Sequence, residues 1–118
     1  MRSAQRVFIE KPLIAMVIIR DPTDRFVIVR NPEKPERGWV FPGGMILHTE
    51  SIEAEAVQHV FEETGILLDP QELASVQRRR REKVDLISLE AIVPTQILNV
   101  PLRSGSGHQV RIVSRRKL

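Results

Sequence analysis

The chain has no cysteine and no tyrosine, and aromatic residues make up only 4% of its 118 residues. Without cysteine there is neither a disulfide framework nor a thiolate metal site. The lack suits a reducing compartment, so the expectation is a cytoplasmic protein. One Trp and four Phe are too few to stack successive bases, and a nucleic-acid partner is not expected. No apolar run approaches the roughly 20 residues that a membrane-spanning helix needs. The run that follows Lys11 and Pro12 closes at Arg20 and lacks a small-residue cleavage site, so it reads as a strand and not as a signal peptide.

Charge of one sign is also missing locally. Residues 50 to 63 contain no Lys or Arg and hold five acids: Glu50, Glu53, Glu55, Glu62 and Glu63. Residues 70 to 118 hold ten Lys or Arg against four acids. An acidic segment beside a basic half suits a metal ion together with a polyanionic ligand such as a diphosphate. A solvated basic surface would produce the same count.

What is present reads as one domain over residues 1–118, an α/β (α+β) fold of many strands around one helix. The β-branched runs 13–20 and 25–31, separated by Asp-Pro-Thr-Asp, predict a hairpin. Residues 31–38 form a polar loop and 39–41 a short extended piece, followed by Pro42-Gly43-Gly44, whose bland reading is an ordinary turn. The spacing predicts a helix over 51–64, with Thr49 or Ser51 as N-cap and Gly65 as the C-terminal glycine. Residues 72–81 and 84–93 predict two strands and 108–113 a last one, preceded by a flexible Arg-Ser-Gly-Ser-Gly loop and followed by a frayed tail.

At 100° per residue, the helix sets Glu55, His59, Glu62 and Glu63 within an arc of about 100°. Val57, Val60, Phe61 and Ala54 fall on the opposite side and read as its packed face. Phe26 also reads as core. Clustered carboxylate oxygens are what Mg²⁺ or Mn²⁺ requires, although an exposed acidic face has the same pattern. Gly43 and Gly44, just before the helix, allow the backbone to approach a ligand closely. His48 and His108 read as loop residues.

The segment 44–66 resembles the Nudix box, G-x5-E-x7-R-E-U-x-E-E-x-G-U with U aliphatic. Gly44 opens it, Glu50 follows after five residues, and Gln58-His59-Val60-Phe61-Glu62-Glu63-Thr64-Gly65-Ile66 closes it. The Gly-Trp-Val-Phe-Pro-Gly-Gly lead-in at 38–44 is similar to the family's. The resemblance implies a mixed sheet sandwiched by helices, here with a short or missing C-terminal helix. It implies a hydrolase that cleaves the diphosphate linkage of a nucleoside diphosphate derivative with Mg²⁺ or Mn²⁺. By position, Glu62, Glu63, Gly43 (through its carbonyl) and Glu50 would hold the metal, and Glu62, Glu63 and His59 would be catalytic.

The departure from the pattern is local. Gln58-His59 stands where the family has Arg-Glu. Neutral imidazole accepts a proton or binds one metal through one nitrogen, and cannot bridge two metals. Gln58 cannot make the orienting ion pair. Glu55, one turn before His59, could stand in as a ligand, orient the imidazole, or be solvated. In Arg78-Arg79-Arg80-Arg81 the side chains alternate, so two share a face, and Arg79 and Arg81 are candidate phosphate contacts. Trp39 and Phe41 read as packing in or near the core, with Trp39 also a candidate substrate contact. The alternatives to an active hydrolase are a non-catalytic nucleotide-binding module and a subunit whose dimer mate completes the fold.

Overall fold

The computed structural model describes residues 11–48 and 51–118. Among these residues six strands and two α-helices follow one another as β1 (Leu13–Arg20), β2 (Arg25–Arg30), β3 (Gly43–Ile46), α1 (Ile52–Thr64), β4 (Ala74–Arg80), β5 (Asp85–Ile92), α2 (Thr95–Leu98) and β6 (Gln109–Ser114). The strands form one mixed sheet in the order β4-β5-β1-β2-β6, with β3 also paired to β1. β1 and β5 run parallel, and the other pairs are antiparallel.

β1 alternates strictly between buried and half-buried residues, as a strand with one fully covered face should. Leu13, Ala15, Val17 and Ile19 point into the core with Ala56, Val57 and Val60 of α1, Val27 of β2 and Leu89 of β5. The mixed sheet with helices is the expected α+β fold. α2 is a single turn, and β6 is followed by a 3-10 turn, Arg115–Lys117. The tail expected to fray is instead tied down, with Arg115 pairing with Asp24 at 3.2 Å.

The predicted hairpin forms, held at its turn by a residue with no obvious sequence signal. Asp21 is fully buried. Its Oδ1 accepts from the Thr23 amide, the Thr23 hydroxyl and the Arg25 amide, and its Oδ2 from Arg25 Nε. An aspartate that satisfies its own turn in this way is common where a chain reverses tightly. Burial pushes its carboxyl up, but the hydrogen bonds from Arg25 and Thr23 outweigh it and hold the group well below the usual carboxylate range.

The feature that builds the site is a fork at one edge of β1. The C-terminal end of β1 pairs with β2 (Arg20 opposite Phe26), and its N-terminal half pairs with β3 from Leu13 opposite Ile46 to Met16 opposite Gly43. Between them the Val17 amide donates to the Pro42 carbonyl at 2.8 Å. Pro42-Gly43-Gly44 is thus the entry to a strand and not an ordinary turn. Gly43 has φ +149, and a Cβ there would lie 2.0 Å from the Ala15 carbonyl oxygen, so only glycine can follow the fork.

Candidate active site

α1 lies with its buried side on the sheet and its carboxylate side along β3. Its buried residues are Ala56, Val57, Val60 and Thr64, an arc from about 60° to 160° round from His59 at 100° per residue. Phe61 and Ala54, at about 200° and 220°, fall just outside it. This corrects the expected packed face: Phe61 is 50% exposed and Ala54 is exposed, while Phe26 is buried as expected. Gly65 ends the helix in the left-handed region with φ 81. Ser51 occupies the N-cap position, but its hydroxyl turns to the His48 carbonyl and the Glu55 carboxylate and not to a helix amide. Thr49 and Glu50 lie outside the described residues.

Glu63 reaches the fork, where its Oε1 accepts from the Gly43 amide at 3.1 Å. The resemblance gives Gly43 a role through its carbonyl; the contact seen here is made by its N–H. Burial pushes the Glu63 carboxyl above the usual carboxylate range, and the neighbouring Glu62 charge adds to this. The Gly43 hydrogen bond and the charges of His108 and His59 pull it back. The sheet and loops therefore bring Glu62, Glu63, His59 and His108 within electrostatic range of one another.

His59 is fixed by two features of β3. Its Nε2 lies 2.9 Å from the Met45 carbonyl oxygen. A carbonyl only accepts, so Nε2 carries the hydrogen and the neutral ring keeps its lone pair on Nδ1. The ring also packs against Gly44: a Cβ on residue 44 would lie 2.7 Å from Cε1 and 2.8 Å from Nδ1. Glu55 does not orient this imidazole and is not simply solvated. Its carboxylate accepts from the Leu47 and His48 amides at 2.7 and 2.8 Å and from Ser51 at 3.0 Å. The Leu47 hydrogen bond leads the causes that lower its pKa. Glu55 thus anchors the segment that leads into the helix. His48 is an exposed loop residue beside it.

Two groups at the site had no clear signal in the sequence. Ser104 and Ser106 close over the end of α1, where the Ser106 amide and both hydroxyls donate to the Glu62 carbonyl. Ser106 Oγ lies 2.8 Å from His108 Nδ1. The loop read as merely flexible is therefore a clasp on the helix end, where carbonyls lack helical partners.

The candidate substrate contacts separate. Trp39 lies under the Arg111 guanidinium, 4.2 Å from its ring centroid. It lines a cavity of about 470 Å³ with Ile28, Arg111 and Lys117, and a second with Met16, Val40 and Phe41. Met16 is the register partner of Gly43, so this apolar hollow adjoins the fork. Phe41 lies 6.5 Å from Phe26 between ring centroids, near the core as expected. Arg79 and Arg81 are elsewhere: Arg79 is on β4 and Arg81 just beyond its end, with β5 and β1 between β4 and β3.

For a divalent cation the fit is partial. Among the described residues, no three of His, Asp and Glu converge closely enough to hold a metal ion. Mg²⁺ characteristically takes one or two carboxylates and completes its shell with water and substrate phosphates. A desolvated Glu63 beside Glu62 fits that mode of binding.

Fold and site together define an α+β domain that presents a carboxylate helix at a forked strand edge. The NUDIX domain model matches residues 10–114, most of the chain. The chain therefore belongs to the Nudix hydrolase family. It is 32% identical over 66 residues to nucleoside diphosphate-linked moiety X motif 6 of Xenopus laevis, covering 56% of this chain and 30% of that protein. The Homo sapiens counterpart is also 32% identical over 66 residues, with 21% of its length covered. The chain thus spans less than a third of these relatives. Among solved structures, MutT from Aliivibrio salmonicida and Vibrio cholerae superposes with a TM-score of 0.71 at 22% identity, covering 89% of this chain and 81% of that one. A MutT protein from Methanosarcina mazei Go1 gives 0.66 at 25%, covering 92% and 82%. No helix among the described residues is long and apolar enough to cross a membrane.

Proposed function

We propose that the protein hydrolyses the diphosphate linkage of a nucleoside diphosphate derivative, in the cytoplasm. The observation that carries this reading is the Glu63 carboxylate, desolvated and held on the Gly43 amide at the fork. Glu62, Glu63, Gly43 and Glu50 would hold Mg²⁺ or Mn²⁺, Glu50 by its place in the box. When bound, such a cation screens the diphosphate charge and makes water a better nucleophile. His59 Nδ1, with its lone pair free, is the acceptor for the water's proton as the new P–O bond forms and the bridging bond breaks. The hollow under Trp39 takes the apolar face of the nucleoside side, and Arg111 and Lys117 at its rim attract the phosphates.

Release of phosphate or nucleotide from nucleoside triphosphates, nucleotide sugars and dinucleotides, with Mg²⁺ or Mn²⁺, tests the reading. Turnover must exceed that of the Glu63→Gln chain, and equal rates would refute it. A second reading, a nucleotide-binding module without turnover, draws on the imidazole that replaces the box glutamate. It predicts saturable nucleotide binding by calorimetry with no hydrolysis.

A further inference from the structure

The longest run of like charge in the sequence lies away from this site. Arg78, Arg79, Arg80 and Arg81 run along β4 and just past it, and every residue of β4 is exposed. β4 ends the sheet order among the described residues. Among the described residues its outer backbone amides and carbonyls are therefore those of an edge strand, which can pair with an added strand. Among the described residues none of the four guanidiniums joins an ion pair: nearby Asp85 is taken by Lys11, and Glu90 by Arg20. Lys11 Nζ also donates to the Arg81 carbonyl, which adds a cation to the row.

The register decides what kind of polyanion fits. Opposed residues on neighbouring strands share a face of the sheet. Arg78 opposes Ile87 and Arg80 opposes Asp85. Ile87 belongs to the core, on the side that packs α1, so these two arginines lie on that face. Arg79 opposes Leu86 on the other face. A phosphate backbone lying across one face meets only half of the row. An extended peptide that adds a strand along the edge alternates its own side chains, so acids at successive positions meet arginines on both faces. A second copy of this chain does not fit, because pairing β4 with β4 sets arginine against arginine.

We propose that the β4 edge is a docking site for an extended acidic segment of another protein, which adds a strand beside Gln77–Arg80. Arginine forks would grip its carboxylates bidentately while the backbones pair. The irregularity between Ser75 and Gln77 limits the regular edge to this arginine stretch. The site stands whether or not the chain hydrolyses diphosphates.

The test titrates the intact chain with a fluorescent peptide of alternating Glu and Val, and with a single-stranded oligonucleotide of equal charge, while following amide exchange. The acidic peptide should bind saturably and slow exchange of β4 amides. Arg78→Glu with Arg80→Glu, and Arg79→Glu with Arg81→Glu, should each weaken it by about tenfold or more. These side chains are exposed, so the fold should persist, and circular dichroism checks it. If a variant unfolds, exchange in the unmodified chain still decides. No binding, binding without β4 protection, or an oligonucleotide that binds tighter and depends on one arginine pair alone would each overturn the proposal.

Discussion

The imidazole of His59 occupies the space that a side chain at Gly44 would fill. A Cβ on Gly44 would stand 2.7 Å from Cε1 of the ring, while Nε2 of the same ring is bonded to the Met45 carbonyl. The helix and β3 are therefore joined by a ring lying flush on bare backbone. Gly44→Ala should expel the ring and cost about 1–3 kcal/mol. His59→Ala in the same chain should recover most of that loss. Urea unfolding of the two single variants and the double variant measures the coupling, which for residues in contact is about 0.5–3 kcal/mol. A coupling near zero would show that the ring does not lie there.

Glu63 makes activity and stability depend on pH in opposite senses. Its folded pKa lies above the ordinary glutamate value of 4.5, so the folded protein binds this proton more tightly than the unfolded chain. Stability from this group is then gained as pH falls through the raised value, and the ionised form costs stability at neutral pH. Activity, which needs the carboxylate, should fall on the same acid side, above the pH where a free glutamate titrates. Glu63→Gln should abolish turnover and stabilise the fold at pH 7 by roughly 1 kcal/mol or less. A Glu63→Gln chain less stable at pH 7 than at pH 4, relative to the parent, would contradict the assignment.

Asp21 has the opposite sign. Its folded pKa lies far below the ordinary aspartate value of 3.8, so its contribution is complete above that value and drains away as pH falls below it. Asp21→Asn should lose about 2–4 kcal/mol at pH 7, since the Arg25 charge and the turn donors lose their ionised partner. Below about pH 3 the difference from the parent should narrow. Thermal unfolding across pH reads both, and a difference constant with pH would refute the account.

Much of the fold could be read because β-branched runs and turn residues agree locally. β1, β2, β4 and β5 fall within the runs that predict them, β6 runs one residue past its own, and Gly65 ends α1 as expected. Long-range pairing could not be read this way. Nothing in Pro42-Gly43-Gly44 announces that it enters a strand on β1, because that depends on the Met16–Gly43 register. The carboxylate arc follows from helical period alone. What each carboxylate touches does not: Glu55 turns to two loop amides and Glu63 to the first amide of β3. Phe61 misled because hydrophobicity marks it as core, whereas its angle puts it just off the buried arc.

The Ser104–Ser106 clasp should matter more for the site than for the rest of the fold. Removing both hydroxyls takes two donors from the Glu62 carbonyl and leaves the Ser106 amide. Ser104→Ala with Ser106→Ala should cost about 1–2 kcal/mol. It should also speed amide exchange in the last turn of α1 more than in β1 or β5. Uniform acceleration across the sheet would mean that the loop supports the whole fold and not the helix end.

Replacing Gln58-His59 by Arg-Glu tests what the departure from the box does. Met45 presents a carbonyl to residue 59, and a carboxylate cannot donate to it. A glutamate there must turn away from Met45, and an arginine at the exposed position 58 supplies an ion pair to hold it turned. Losing the His59 hydrogen bond should cost about 1 kcal/mol. The carboxylate would take over the base role given to His59 Nδ1, and should raise the rate by about tenfold or more. Gln58→Arg with His59→Glu should therefore be slightly less stable and markedly faster than the parent. If it folds and is no faster, imidazole at position 59 is not what limits the chemistry, and the restraint lies in how the fork at Gly43 presents Glu63.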